Sequence, residues 1–227
     1  MILLSADTSG KHGSIALARL PDPATRASGN DVEILETVPL AGGTFSAQLV
    51  PQISALLARH GLTKHDIGGF AVASGPGSFT GLRVGLAAIK ALAEVLQKPI
   101  VAVSLLEAVA RSSSRQGTLF AALDAGRGEI YLGEYDSADR LLLRSERLLS
   151  REEFLETASG AVVTPDPSVV EAARQARLYV EHVPYPGSAA IARIGWEKLQ
   201  AGETTTPEAL EANYIRRSDA EIFANQK

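Results

Sequence analysis

Residues 2–13, Ile2-Leu3-Leu4-Ser5-Ala6-Asp7-Thr8-Ser9-Gly10-Lys11-His12-Gly13, carry an apolar run into an aspartate and then into a glycine-containing turn. Residues 118–128 do the same, as Thr118-Leu119-Phe120-Ala121-Ala122-Leu123-Asp124-Ala125-Gly126-Arg127-Gly128. An apolar run punctuated by glycine reads as a strand entering a turn, and its return later in the chain reads as internal duplication. The segments after each copy fit that reading. Segments 14–20 and 32–38 alternate as strands, with Gly10 and Gly13 in the first turn and Pro21 to Asn30 in the second. Segment 45–60 places Phe45, Leu49, Ile53, Leu56 and Leu57 at helical spacing, with Gly61 as its stop. A strand over 69–74, a helix over 80–97 closed by Pro99, a strand over 100–103 and a helix over 104–112 complete the first pass. The second pass has strands 118–123, 129–135 and 140–148, helix 151–158, strand 161–164, helix 168–176, strand 178–183 and helix 187–200. The order βββαβαβα therefore occurs twice and predicts an α/β protein of two similar lobes, 1–112 and 113–227.

Composition narrows the function classes. The 227 residues are 45% hydrophobic, enough for one large globular unit or two small packed lobes. With no cysteine there is neither a disulfide framework nor a thiolate metal site, so a reducing, cytoplasmic setting is expected. No basic leader precedes Asp7, and no apolar run approaches the ~18 residues of a membrane span, so neither export nor membrane insertion is expected. The net charge of −4 has the wrong sign for a surface that neutralises many phosphates unaided. If RNA is handled, a partner is expected to supply much of the basic surface.

The sharpest local signal is Gly75-Pro76-Gly77-Ser78-Phe79-Thr80-Gly81-Leu82-Arg83, set between a buried strand and a long helix. Backbone amides there could hold an anion at a helix N-terminus, or the glycines could simply permit a tight, closely packed turn. The segment lacks the Gly-Lys-Ser/Thr ending of a Walker loop and the spacing of a nucleophile elbow. Asp7 suits a phosphate or magnesium-water contact, with Thr8 and Ser9 as hydroxyl donors and Gly75, Gly77 and Asp124 as further nucleotide-binding candidates; the alternative for Asp7 is a side chain that caps its own turn. His12, His60, His65 and His182 form no HExxH or HxxxH pair, so no helix-borne zinc or iron site is expected. Arg140, Arg144, Arg147 and Arg151 lie in a strand-like context that scatters them over both faces, which favours a solvated surface over an RNA track.

The helix over 80–97 is apolar almost all round, its clearly polar residues being Arg83, Lys90, Glu94 and Gln97. Such a helix is covered on more than one side, by its own lobe or by a partner. The candidate partner interface is Phe45, Leu49, Ile53, Leu82, Gly85, Leu86, Ile89, Ala93 and Leu96. A charge at Leu86 or Ile89 is expected to leave the lobe folded and abolish pairing.

The duplicated plan resembles the actin, sugar-kinase and Hsp70 superfamily, with its ribonuclease H-like lobes. More specifically, residues 75–85, then Pro99-Ile100-Val101-Ala102-Val103-Ser104, Leu123-Asp124-Ala125, Gly128-Glu129-Ile130-Tyr131 and Asn213-Tyr214-Ile215-Arg216-Arg217 resemble the TsaB (YeaZ) family, as does Asp7-Thr8-Ser9. The resemblance implies a non-catalytic subunit of the bacterial complex that places a threonylcarbamoyl group on N6 of the adenosine beside the tRNA anticodon. It implies a TsaD-like transferase and a TsaE-like ATPase as partners, a homodimer when the chain is alone, and tRNA met indirectly through the complex. No cofactor is required; weak ATP or ADP with magnesium at the complex is the most that is implied. The related TsaD places two metal-binding histidines in an Asn-His-x-Glu-x-His pattern after the equivalent strand. Here that register reads Ser104-Leu105-Leu106-Glu107-Ala108-Val109, and neither Leu105 nor Val109 can donate a lone pair to a metal. No catalytic residue is assigned. The alternatives are an actin-like kinase or ATPase using Asp7, the Gly75–Gly81 turn and Asp124, or a glycoprotease-type metallopeptidase.

Overall fold

The computed structural model describes residues 1–20, 32–138 and 141–216. The turn expected over 21–30, Arg140 at the head of an expected strand, and Arg217 of the late motif lie outside the described residues. The chain forms two compact units, Met1–Val103 with Gly187–Asn213, and Ser104–Pro186 with Tyr214 onward.

The first unit is built on strands β1 (Ile2–Asp7), β2 (His12–Arg19), β3 (Glu33–Ala41), β4 (Ile67–Gly75) and β5 (Ile100–Ser104) in the order β3-β2-β1-β4-β5. β1 is antiparallel to β2, pairing Ile2 with Arg19 through Asp7 with Ser14, and parallel to β4. Its near-continuous apolar run is what a strand covered on both faces requires. Helices α1 (Phe45–Arg59) and α2 (Phe79–Leu96) cover one face, where Leu4, Ala6, Phe70 and Val72 meet Leu49, Ile53, Leu82 and Ile89.

The second unit repeats the plan with β6 (Gly117–Gly126), β7 (Glu129–Ser137), β8 (Leu141–Ser150), β9 (Ala161–Thr164) and β10 (Val180–His182). Its order, β10-β9-β6-β7-β8, is that of the first sheet with each strand replaced by its repeat. Helix α3 (Leu105–Ala110) packs on one face, while α4 (Arg151–Thr157) and α5 (Pro167–Gln175) lie against β8, β9 and β10.

The expected boundary at 112/113 moves to 103/104, and α6 (Ser188–Gln200), the last helix among the described residues, leaves the repeat that precedes it. α3 goes with the second unit because Leu105, Leu106 and Val109 are buried against Leu119, Ala121 and Tyr135. Each such side chain is worth roughly 1.5–3 kcal/mol on burial. α6 goes with the first unit because it lies along β1, β2 and β4, with Gly195 set so tightly on Ala71 that a Cβ there would clash. Each sheet thus takes its second cover from the helix that closes the other repeat.

Candidate functional site

The end of β1 holds the first candidate group. Asp7 is fully buried; its Oδ1 accepts from the Ser9 backbone N–H at 2.9 Å and the Ser9 hydroxyl at 2.5 Å, whereas Oδ2 has no hydrogen-bond partner among the described residues. Burial pushes its pKa up to about 6, against the opposing pull of the two Ser9 bonds. The neighbouring hydroxyl is committed inward, because Thr8 Oγ1 donates to the Gly81 carbonyl at 2.7 Å. The backbone N–H of Ser78 donates to the Ser9 carbonyl at 2.6 Å, and Ser78 Oγ accepts from Gly81 N–H to cap α2. These bonds need α2 to sit directly on the strand tip. Gly81 and Gly85, four residues apart on one face of α2, and Gly77 in the turn before it allow it: a Cβ at any of them would run into Ser9 or Thr8. Gly75 is held alongside, where Asn213 N–H donates to the Ser74 carbonyl at 2.7 Å.

On the α6 side of the same strand, Ser5 Oγ donates to the Ser188 carbonyl at 2.7 Å and Ser188 N–H donates to Ser14 Oγ at 2.9 Å. The buried Ser188 Oγ, like Asp7 Oδ2, has no partner among the described residues. Sequence reasoning named Asp7, Thr8 and Ser9 and missed Ser5, Ser14 and Ser188. The signal available was a serine set into an otherwise apolar strand, at Ser5 on β1 and Ser14 on β2.

The second aspartate, Asp124, is exposed and belongs to the second unit. Its Oδ1 accepts from Gly126 N–H at 2.7 Å, its Oδ2 accepts from Ser168 Oγ at 2.8 Å, and its own N–H donates to Asp166 Oδ2 at 2.8 Å. Burial, chiefly, holds the Asp166 carboxyl above the ordinary carboxylate range. Arg216 of the late motif pairs with Glu129 and donates to the Ala125 carbonyl, tying the tail to this turn. Asp124 therefore serves as a turn-former that also receives the start of α5.

The helix pair α1 and α2 divides the expected interface residues from the surface. Phe45, Leu49, Ile53, Leu82, Gly85, Leu86, Ile89 and Ala93 are buried in the first unit, and Leu96 is partly buried. Ile89 is 0% exposed and Leu86 5%, so a charge at either would disrupt the lobe itself, contrary to the expectation that it stays folded. The outward side is another stripe: Ala87, Ala91 and Val95 on α2, with Ala47, Val50, Pro51 and Ala55 on α1. Val95 is 72% exposed and Val50 54%. The four-residue spacing of 87, 91 and 95 was the legible signal.

Leu105 and Val109 are buried apolar side chains of the second unit's core. At the start of α3, Ser104 Oγ donates to Glu146 Oε1 at 2.5 Å and Tyr135 OH donates to the same oxygen at 2.7 Å. Burial together with the nearby Glu146 charge raises the Tyr135 pKa, so the phenol stays a donor.

Two sheets of one strand order, each arising from a βββαβαβ run with the strand tips ending in aspartates, define a duplicated actin-like fold. A family model described as TsaD, tRNA N6-adenosine threonylcarbamoyltransferase, matches residues 39–192. The chain belongs to this family and, within it, to the TsaB group. It is 26% identical to the Escherichia coli tRNA threonylcarbamoyladenosine biosynthesis protein TsaB, over 97% of this chain and 96% of that one. It is 34% identical to the Bacillus subtilis protein of the same name over 63% of this chain, spanning only 58% of that relative's length. Among solved structures, YeaZ from Pseudomonas aeruginosa superposes with a TM-score of 0.73 at 24% identity, covering 94% of this chain and 99% of that one. That likeness shows the fold.

Proposed function

We propose that this chain is the non-catalytic subunit of a bacterial complex that makes threonylcarbamoyladenosine in tRNA, where it binds a TsaD-like transferase and keeps it competent. The observation that carries the reading is the place of Leu105 and Val109. In the register where the transferase it resembles keeps metal-binding histidines, this chain spends both positions on its own core. Its contribution is then contact, made by the outward stripe of α1 and α2. Small side chains there let a second helix pair approach closely, and the same stripe would pair two copies when the transferase is absent. A TsaE-like ATPase joins at the assembled complex, and the cytoplasm is the setting. Among the described residues no helix is long and apolar enough to cross a membrane.

No cofactor is required in this reading. The Thr8 hydroxyl is given to the protein itself and the Asp7 carboxylate is buried, so neither side chain offers a nucleotide an open polar group. ATP or ADP with magnesium would therefore bind weakly, and at the complex. The deciding experiment is in vitro modification of tRNA by the TsaD-like, TsaE-like and adenylate-forming proteins with and without this chain. Product should depend on its addition, while the isolated chain transfers nothing; full product in its absence would overturn the reading.

A further inference from the structure

Of the arginines that the sequence scatters along and just after β8, two are neutralised. Arg144 pairs with Asp136 at 2.5 Å, and Arg147 reaches Glu134 at 3.9 Å. Positive charge without an ion-pair partner among the described residues gathers instead at another corner of the second unit. The loop after α3 lies along the edge strand β10, where Ser113 Oγ donates to Glu181 Oε2 at 2.7 Å. Two residues on, the Arg115 guanidinium lies over the Tyr179 ring, 4.1 Å from its centre. Arg177 stands two residues before Tyr179, and its N–H donates to the Arg174 carbonyl at 3.0 Å as α5 ends. Arg115, Arg174 and Arg177 are all exposed, and none forms an ion pair among the described residues. Leu178 and Val180 turn into the core and leave the Tyr179 ring 52% exposed.

Arg177 has a backbone cost. It adopts φ 60°, the left-handed conformation that closes α5, with Leu178 N–H donating to the Ala173 carbonyl. The equivalent positions after α1 and α6 are Gly61 and Gly202. An arginine kept where glycine fits with less strain points to a use for its charge.

We propose that Arg115, Arg174, Arg177 and Tyr179 form an RNA-contact corner, the arginines taking phosphates and the tyrosine ring taking the face of an unstacked base. The proposal rests on the reading of this chain as part of a tRNA-modifying complex and deepens it by giving the chain a direct contact with the substrate. An acidic protein surface would satisfy the guanidinium groups equally well. The exposed ring already bearing a guanidinium favours nucleic acid, because stacked Arg–aromatic pairs present both a π-face and N–H forks to a base–phosphate unit. The overall charge of −4 keeps the footprint to these few groups.

The test is fluorescence anisotropy of an unmodified tRNA transcript with the full chain over a salt series. It compares the parent with the R115Q/R174Q/R177Q variant, with Tyr179→Ala, and with R144Q/R147Q as a control whose arginines are paired. The triple variant should bind roughly tenfold or more weakly at low salt, and its salt slope should fall by about 2, three phosphates at about 0.7 each. Tyr179→Ala should weaken binding without changing the slope, and the control should bind as the parent. The three sites are exposed, so thermal midpoints should match the parent; the single variants give the same reading if the triple variant's does not. Equal affinity and slope in parent and triple variant, or no tRNA binding by the parent at low salt, would overturn the proposal. So would polyglutamate binding as tightly as tRNA with the same loss in the variant, which would assign the corner to an acidic protein. In the modification assay, product independent of the chain sinks the functional reading. Product that needs the chain yet shows an unchanged tRNA KM with the triple variant sinks this corner alone.

Discussion

Asp7 presents one carboxylate oxygen with two donors and another with none among the described residues, and no positive charge enters the balance that sets its proton affinity. Its folded pKa of about 6 lies above the ordinary 3.8, so the folded state holds the proton more tightly than the unfolded chain. The stability this group contributes is thus fully present below about pH 4 and is lost as pH rises through 6. Near neutral pH the ionised form costs about 3 kcal/mol, from roughly 1.4 kcal/mol for each tenfold change in proton affinity. Asp7→Asn should therefore raise the thermal midpoint at about pH 8, with the gain shrinking towards about pH 5. Calorimetry at the two pH values decides, and a larger gain on the acid side would contradict the account. Gly81→Ala tests the other partner of the strand tip: a methyl driven into the Thr8 carbonyl should cost about 2 kcal/mol or more, visible in denaturant melts. Asp7, Thr8 and Ser9 could be picked out of the sequence as a group. The direction in which the hydroxyls point could not, since Thr8 turns inward only because α2 arrives with a stripe of glycines against it.

At the scale of elements, four helices end in the same way, with the left-handed residue followed by a return bond into the last turn. Gly61 and Gly202 fill that place after α1 and α6, while Gln97 and Arg177 fill it after α2 and α5. Gln97 recovers something by donating its side-chain amide to the Glu94 carbonyl at 2.6 Å. Replacing Gln97 by glycine should still stabilise the first unit by a few tenths to about 1 kcal/mol, read as a raised denaturation midpoint. The outward stripe of the helix pair makes a sharper prediction. Val95→Glu should leave the melting curve unchanged and abolish co-purification with the TsaD-like subunit, whereas Ile89→Glu should unfold the lobe. Retained co-purification by Val95→Glu would remove the stripe from the interface. Among the described residues the order of strands and α-helices was readable, because apolar period and Gly or Pro punctuation agree; the short 3-10 turn at Lys64–Asp66, which has no apolar period, was not. Which side of α2 faces inward was not, since a helix with apolar residues nearly all round gives periodicity no single direction to report.

For the whole molecule, the duplication was legible in two apolar runs ending at Asp7 and Asp124, but the exchange of closing helices was not. Nothing local to Leu105 or Ile191 says which sheet each will meet; that choice is made by long-range packing. Shortening the chain after Pro186 should destabilise the N-terminal sheet, although the residues removed follow it by most of the sequence. Limited proteolysis should then cut within β1–β4, and protection equal to the full chain would refute the exchange. The same arrangement bears on vectorial synthesis. As the chain leaves the ribosome, the β1–β2–β4 surface that awaits Ile191, Ile194 and Gly195 stays wet until α6 is made. Early-emerging sequence is thus left open to mispairing throughout translation, and a nascent chain of this type should engage chaperones through its first sheet until α6 emerges.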